Sequence, residues 1–224
     1  MKKIIFLLSL ATIVSCSSDR ASNGNSGPVP GNSDRKIHGV HAEAAHHGES
    51  EKSHEAEGTF HFDAAKAQLT FTAYKFPGEK KKGVNGTFKT INVKGAKDSK
   101  KAEEVLSDVS FSIPVASLST NDVSRDDKLK EFFFGKLINT ADITGSFGKF
   151  EGGTVPVTLK LNDKTVTKDF QYQISGRKLT LIGKIDLVKD YMASDALNSI
   201  NEACKDLHEG KTWPDVDLKA EIEL

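Results

Sequence analysis

Three groups of residues in this chain have types and spacings that could do chemistry. The first is His38, His41, His46, His47 and His54, crowded into one stretch. Imidazoles at that density can bind Zn²⁺, Ni²⁺ or Cu²⁺. Their spacing matches no structural zinc pattern, however, and no cysteine stands among them. A polar linker kept soluble by its histidines is the reading adopted, and no metal site is expected. The second group is what a hydrolase would need, a nucleophile or metal with a base in reach. Beyond that stretch only His61 and His208 remain, far apart, with no Gly-x-Ser-x-Gly element and no Gly-rich phosphate loop. The chain is therefore expected to be no enzyme and to carry no cofactor.

The third group lies in "SLSTNDVSRDDKLKEFFFGKL", Ser117 to Leu137. Asn121, Asp122, Arg125, Asp126, Asp127 and Lys128 seek water, and Phe132, Phe133 and Phe134 follow within a few residues. A core helix spaces apolar residues three or four apart, and a half-buried strand alternates them. Three aromatics in a row do neither, so at least one ring must point away from an ordinary core.

The elements around this segment alternate with period two from Gly58 onward. Leu69, Phe71 and Ala73 are set against Thr70, Thr72 and Tyr74. Val109, Phe111 and Ile113 share one face of the next run, as do Val155, Val157, Leu159 and Leu161 of a later one. "DFQYQIS", "KLTLIGKIDL" and the final "VDLKAEIEL" repeat the pattern. Such alternation marks strands with one buried and one wet face. Turn signals at Asn85, Glu151–Thr154, Leu161–Thr165 and Ser175–Lys178 separate them. Many short strands joined by tight turns predict an all-β sandwich or up-and-down barrel. Two segments read as helical, about Asp126–Leu137 and a second from Ser194 or Asp195 to Gly210. On the second, Leu197, Ile200, Cys204 and Leu207 form one stripe, so Cys204 reads as core and not as a nucleophile.

The amino-terminal end sets the compartment. Lys2 and Lys3 precede an apolar run from Ile4 to Val14, with Ser15 before Cys16. This is the layout of a secretory signal, and it falls short of the roughly 20 apolar residues a membrane span needs. "IVSC" resembles the bacterial lipobox, which implies cleavage before Cys16 and acyl chains on it. Each buried methylene of such a chain contributes about 0.8 kcal/mol to anchoring. The organisation expected is a signal peptide over 1–15, a lipidated cysteine and His-rich flexible tether over 16–57, and one β domain over 58–224. With Cys16 lipidated, Cys204 stands alone and no internal disulfide is possible. The 31 basic residues balance 31 acidic ones, which argues against a nucleic-acid partner.

"VSFSIPVASLSTNDVSRDDKLKEFFF" resembles the signature of the YceI-like, polyisoprenoid-binding family. The matching elements are Ser117, Leu118, Thr120, Arg125, Asp126, Leu129, Phe132 and Phe133. Val84, Gly86 and Phe88 are similar to an earlier element of that family, and "VPVTLKLNDKTVTKDFQYQI" is similar to a later hairpin. The chain departs from the family pattern in "GKLINTADI", where a Tyr-Pro would be usual, and in "DAAKAQ" at the domain's entry.

The resemblance implies an antiparallel, lipocalin-like β-barrel of about eight strands with two short helices, enclosing an apolar tunnel for an isoprenoid lipid. A barrel of that size can hold one small ligand. Phe71, Phe88, Val109, Phe111, Ile113, Phe132, Phe133 and Phe147 would line the tunnel, and Asn121, Arg125 and Asp126 would meet a polar head group at the rim. The chain would then be a lipid binder or carrier, anchored through Cys16 in a bacterial cell envelope and facing the periplasm or the cell surface. Two plainer readings stay open. Arg125 and Asp126 could pair and cap a helix while the Phe pair fills a core, and the domain could be a structural envelope module with a solid interior.

Overall fold

The computed structural model describes residues 58–224. The signal peptide, Cys16 and the His-rich tether lie outside the described residues. Among those described, no helix is long and apolar enough to cross a membrane.

The alternating runs form β1 (Ala67–Lys75), β2 (Lys82–Phe88), β3 (Asn92–Lys94), β4 (Ser110–Pro114) and β5 (Leu118–Ser119). After a helical interlude come β6 (Asp142–Phe147), β7 (Thr154–Leu161), β8 (Lys164–Ser175), β9 (Lys178–Asp186) and β10 (Thr212–Glu223). On β7 the pattern is complete: Val155, Val157, Leu159 and Leu161 are buried, and Thr154, Pro156 and Lys160 are exposed. Two-residue loops set the register of the longest hairpins. Asn162 and Asp163 both take the positive φ that such a turn requires between Leu161 and Lys164. Gly176 supplies it between Ser175 and Lys178.

All pairings are antiparallel, in the order β3-β4-β6-β7-β8-β9-β10-β1-β2-β5. The ten-stranded sheet is strongly curled. Leu69 of β1, Phe111 of β4, Val157 of β7, Phe170 of β8 and Ala220 of β10 all face one interior space. Ten strands replace the eight expected because two segments are interrupted. β3 pairs with β4 through Asn92↔Ser112, and β2 pairs with β5 through Phe88↔Leu118. Between the two ladders, the Lys89 amide donates to Ser117 O at 3.0 Å. The break on one side follows Pro114, which has no N–H for the ladder, and a 3₁₀ turn over Val115–Ser117.

The helical parts also differ from expectation. A short α1 (Ala102–Val105) precedes β4. The first expected helix begins earlier, as α2 (Val123–Lys128), because Asp122 caps it: its Oδ1 accepts from the Arg125 amide at 3.1 Å. It then widens into a π turn over Leu129–Phe133 and tightens to 3₁₀ over Phe134–Lys136. The second expected helix is two, α3 (Ser194–Ala203) and α4 (Lys205–His208), because the chain leaves helical geometry at Cys204. Neither Ser194 nor Asp195 caps α3; Ala193 holds that position without a side-chain bond. Glu209 and Gly210, both at positive φ, end α4. The break rotates the stripe by one residue. His208 is 7% exposed and faces inward, whereas Leu207, expected inside, is 60% exposed.

Candidate functional site

A cavity of about 430 Å³, open on one side, lies between one end of the curled sheet and the two helical segments. The sheet supplies Phe71, Val84, Phe88, Val216 and Leu218 to its wall. The α2–π segment adds Leu129, Phe133 and Phe134, and α3–α4 adds Leu197, Ile200 and Cys204. A second cavity of about 80 Å³ lies deeper, walled by Leu69, Phe111, Ile113, Phe147 and Leu181 among others. Leu218 of β10 belongs to both walls.

Glycines on neighbouring strands make room for the inward aromatics. Phe71 stands opposite Gly86, and a Cβ there would lie 2.2 Å from the Phe71 ring. Phe111 stands opposite Gly145, where a Cβ would come within 2.5 Å of its ring. Phe170 and Gly183 repeat the arrangement at 2.4 Å. Each ring therefore rests on a bare stretch of backbone, which a side chain at the glycine would push toward the interior.

The π turn explains the run of three phenylalanines. Its wider ring of hydrogen bonds inserts a residue into the helix, and Phe133 and Phe134 both reach the large cavity. Phe133 is buried and meets Phe134 edge-on at 5.0 Å, and Phe134 meets Phe88 edge-on at 6.3 Å. Phe132 is half-buried against the core and lines neither cavity. Of the other residues expected in the tunnel, Phe71, Phe88 and Phe133 line the large cavity, and Phe111, Ile113 and Phe147 line the small one. Val109 is fully buried but lines neither.

The three residues expected at a head group are dispersed. Asn121 is exposed, in the left-handed conformation that asparagine tolerates, and does not line the cavity. Asp126 is buried, and its Oδ1 accepts from the Thr120 amide at 2.7 Å and the Thr120 hydroxyl at 2.6 Å. With Ser117 Oγ donating to Pro114 O at 2.7 Å, these bonds brace the corner between β5 and α2. Only Arg125 lines the cavity, and its Nη2 is 3.1 Å from Asp122.

Sequence reasoning missed Lys75, Lys128 and His208, which also line the cavity. Lys75 was legible: it continues the inward parity of Phe71 and Ala73. His208 required knowing where the helix breaks. Its Nδ1 is enclosed and has no hydrogen-bond partner among the described residues. Burial pushes its pKa below the ordinary imidazole value, and the nearby charge of Lys75 adds to the effect, so the ring is held neutral. Burial likewise pushes the Cys204 thiol up, away from the reactive thiolate. Among the described residues, no group of three or more His, Cys, Asp or Glu could hold a metal ion.

A polyisoprenoid binding domain from Saccharophagus degradans, implicated in plant cell wall breakdown, superimposes with a TM-score of 0.53 at 15% identity, covering 75% of this chain and 97% of that one. Burkholderia cenocepacia BcnA gives 0.49 at 17% identity, covering 72% and 98%. The Campylobacter jejuni YCEI protein gives 0.48 at 22% identity, covering 67% and 89%. No curated protein matches the chain in sequence. The model of the YceI-like domain matches residues 60–224, nearly everything from the first strand bridge to the carboxyl end, and the chain belongs to that family.

Proposed function

We propose that this protein is an envelope-anchored binder or carrier of an isoprenoid lipid, held by acyl chains on Cys16, without enzymatic activity. In this reading the curled sheet is a lipocalin-like barrel, closed where the segments β2–β3 and β4–β5 meet. The lipid's chain occupies the large cavity and its far end approaches the small one past Leu218. The observation that carries the reading is the large apolar cavity itself. Its volume of about 430 Å³ falls in the range of about 300–1,000 Å³ typical of ligand pockets. A solid structural module would be expected to fill that space, since cores pack to crystal-like density. The likeness in fold to a domain described as polyisoprenoid binding supports the choice of ligand.

Mass spectrometry of an organic extract from the native, undenatured protein tests this. A long prenyl-chain lipid in near-stoichiometric amount is expected. If the protein carries nothing, and also fails to take up an added prenyl alcohol, the module with a solid interior is the better description.

A further inference from the structure

We propose that the large cavity selects an amphiphile with an anionic head, a phosphate or carboxylate on a long apolar tail, and that Lys75 and Lys128 hold that head. The inference rests on the lipid-binding reading and names the ligand class for the same site. The charge balance is the first ground. The whole chain is formally neutral, with 31 basic and 31 acidic residues. The cavity wall is not: among the described residues, Lys75, Arg125 and Lys128 line it, against Asp122 as the one carboxylate. Asp122 is already engaged, capping α2 with one oxygen and holding Arg125 Nη2 at 3.1 Å with the other.

Lys75 and Lys128 are both half-buried, and neither makes an ion pair with a described residue. They come from different elements, Lys75 at the end of β1 and Lys128 at the end of α2. Their fields converge on the same place, since both act on the Cys204 thiol. Lys75 Nζ has the Phe76 ring at 5.2 Å as its neighbour and no counterion among the described residues, so an anion at this wall would meet two cations not yet neutralised. His208 stands at the same wall, 7% exposed, with its Nδ1 unpartnered. A neutral imidazole there adds a hydrogen-bonding group without a competing charge. Lys211, stacked over Trp213 at 4.7 Å, adds to the positive field nearby. Asn121 and Asp126, expected at the head group, take no part: one faces water and the other braces a corner.

Trp213 provides the readout, because it is the only tryptophan and it lines the cavity. The full-length protein is titrated with geranylgeranyl phosphate, with geranylgeraniol and with inorganic phosphate, following Trp213 emission. The lipid phosphate should bind about tenfold or more tighter than the alcohol, as expected for hydrogen bonds to a charged group. In the double variant Lys75→Met, Lys128→Met, that advantage should shrink to within about threefold while alcohol binding is unchanged. Lys75→Arg with Lys128→Arg should restore it, which guards against a folding defect in the methionine pair. Equal affinities for the two lipids in the natural protein would overturn the head-group assignment and leave the lipid-binding reading standing. So would an advantage that survives both methionines, the result expected if the lysines merely extend their heads into water. If inorganic phosphate alone shifts the emission as strongly as the lipid phosphate does, the site takes a free anion and the assignment is overturned. Binding of neither lipid overturns both readings together.

Discussion

Asp126 Oδ1 takes two hydrogen bonds at once, from the amide and the hydroxyl of Thr120, within a buried corner. Asp126→Ala would leave two buried donors unsatisfied, each costing about 1–3 kcal/mol, so a loss of about 2–6 kcal/mol is expected. Arg125→Ala breaks only a half-exposed pair with Asp122 and should cost under about 1 kcal/mol. Urea denaturation of the two variants checks the ranking, and a larger loss for Arg125→Ala would contradict it. The sequence alone could not separate these two neighbours. A carboxylate reaching six residues back to Thr120 and one reaching for a ligand present the same residue types in the same spacing. The interior parity of Lys75, by contrast, follows from simple alternation along β1.

At the scale of elements, period two located most of the strands, because each needs one buried face and one wet face, but the turn read at Asn85 lies inside β2. What escaped was anything that depends on contact between elements. The break at Cys204 that turns His208 inward leaves no signature in a stripe of apolar residues. The π turn was visible only as an anomaly, three adjacent rings that no regular helix or strand accommodates. The pairing of Phe71 with Gly86 needs the register of β1 against β2, which sequence patterns on single strands do not contain. That pairing carries a prediction. Gly86→Ala puts a methyl group where the Phe71 ring lies, and overpacking of this kind costs about 1–3 kcal/mol. The ring's way out is into the large cavity. The variant should therefore stay folded yet lose capacity for the longest prenyl alcohols first, measured as the chain-length dependence of Trp213 quenching. Uniform weakening across all chain lengths would mean that Phe71 does not bound the site.

For the whole molecule, the family was legible in the segment from Ser117 to Phe133, which divides between two tasks. Thr120 and Asp126 lock the corner between β5 and α2, and Arg125, Leu129 and Phe133 wall the large cavity. Of the cavity's cations, Arg125 and Lys128 lie within the segment and Lys75 outside it, and of the three only Arg125 was expected at the site. The anchor is a separate matter and needs its own measurement. If Cys16 carries acyl chains, Cys16→Ser should move the protein from the membrane fraction into soluble exported material. Retention of the variant on membranes through high salt and alkaline wash would count against a lipid anchor.

The pairing of β1 with β10 has a consequence for how the domain folds. Ala67 of β1 lies opposite Ile222 of β10, and β10 also supplies the partner for β9 along its length. β1 therefore gains its second neighbour only when β10, the described strand farthest from it in sequence, is in place. Contacts that span nearly the whole domain are slow to form, because loop closure must precede any reward. Until β10 arrives, the free edges of β1 and β9 are open to other chains. Closure of the sheet around β10 is thus a late event of folding, and the domain is most vulnerable just before that strand pairs.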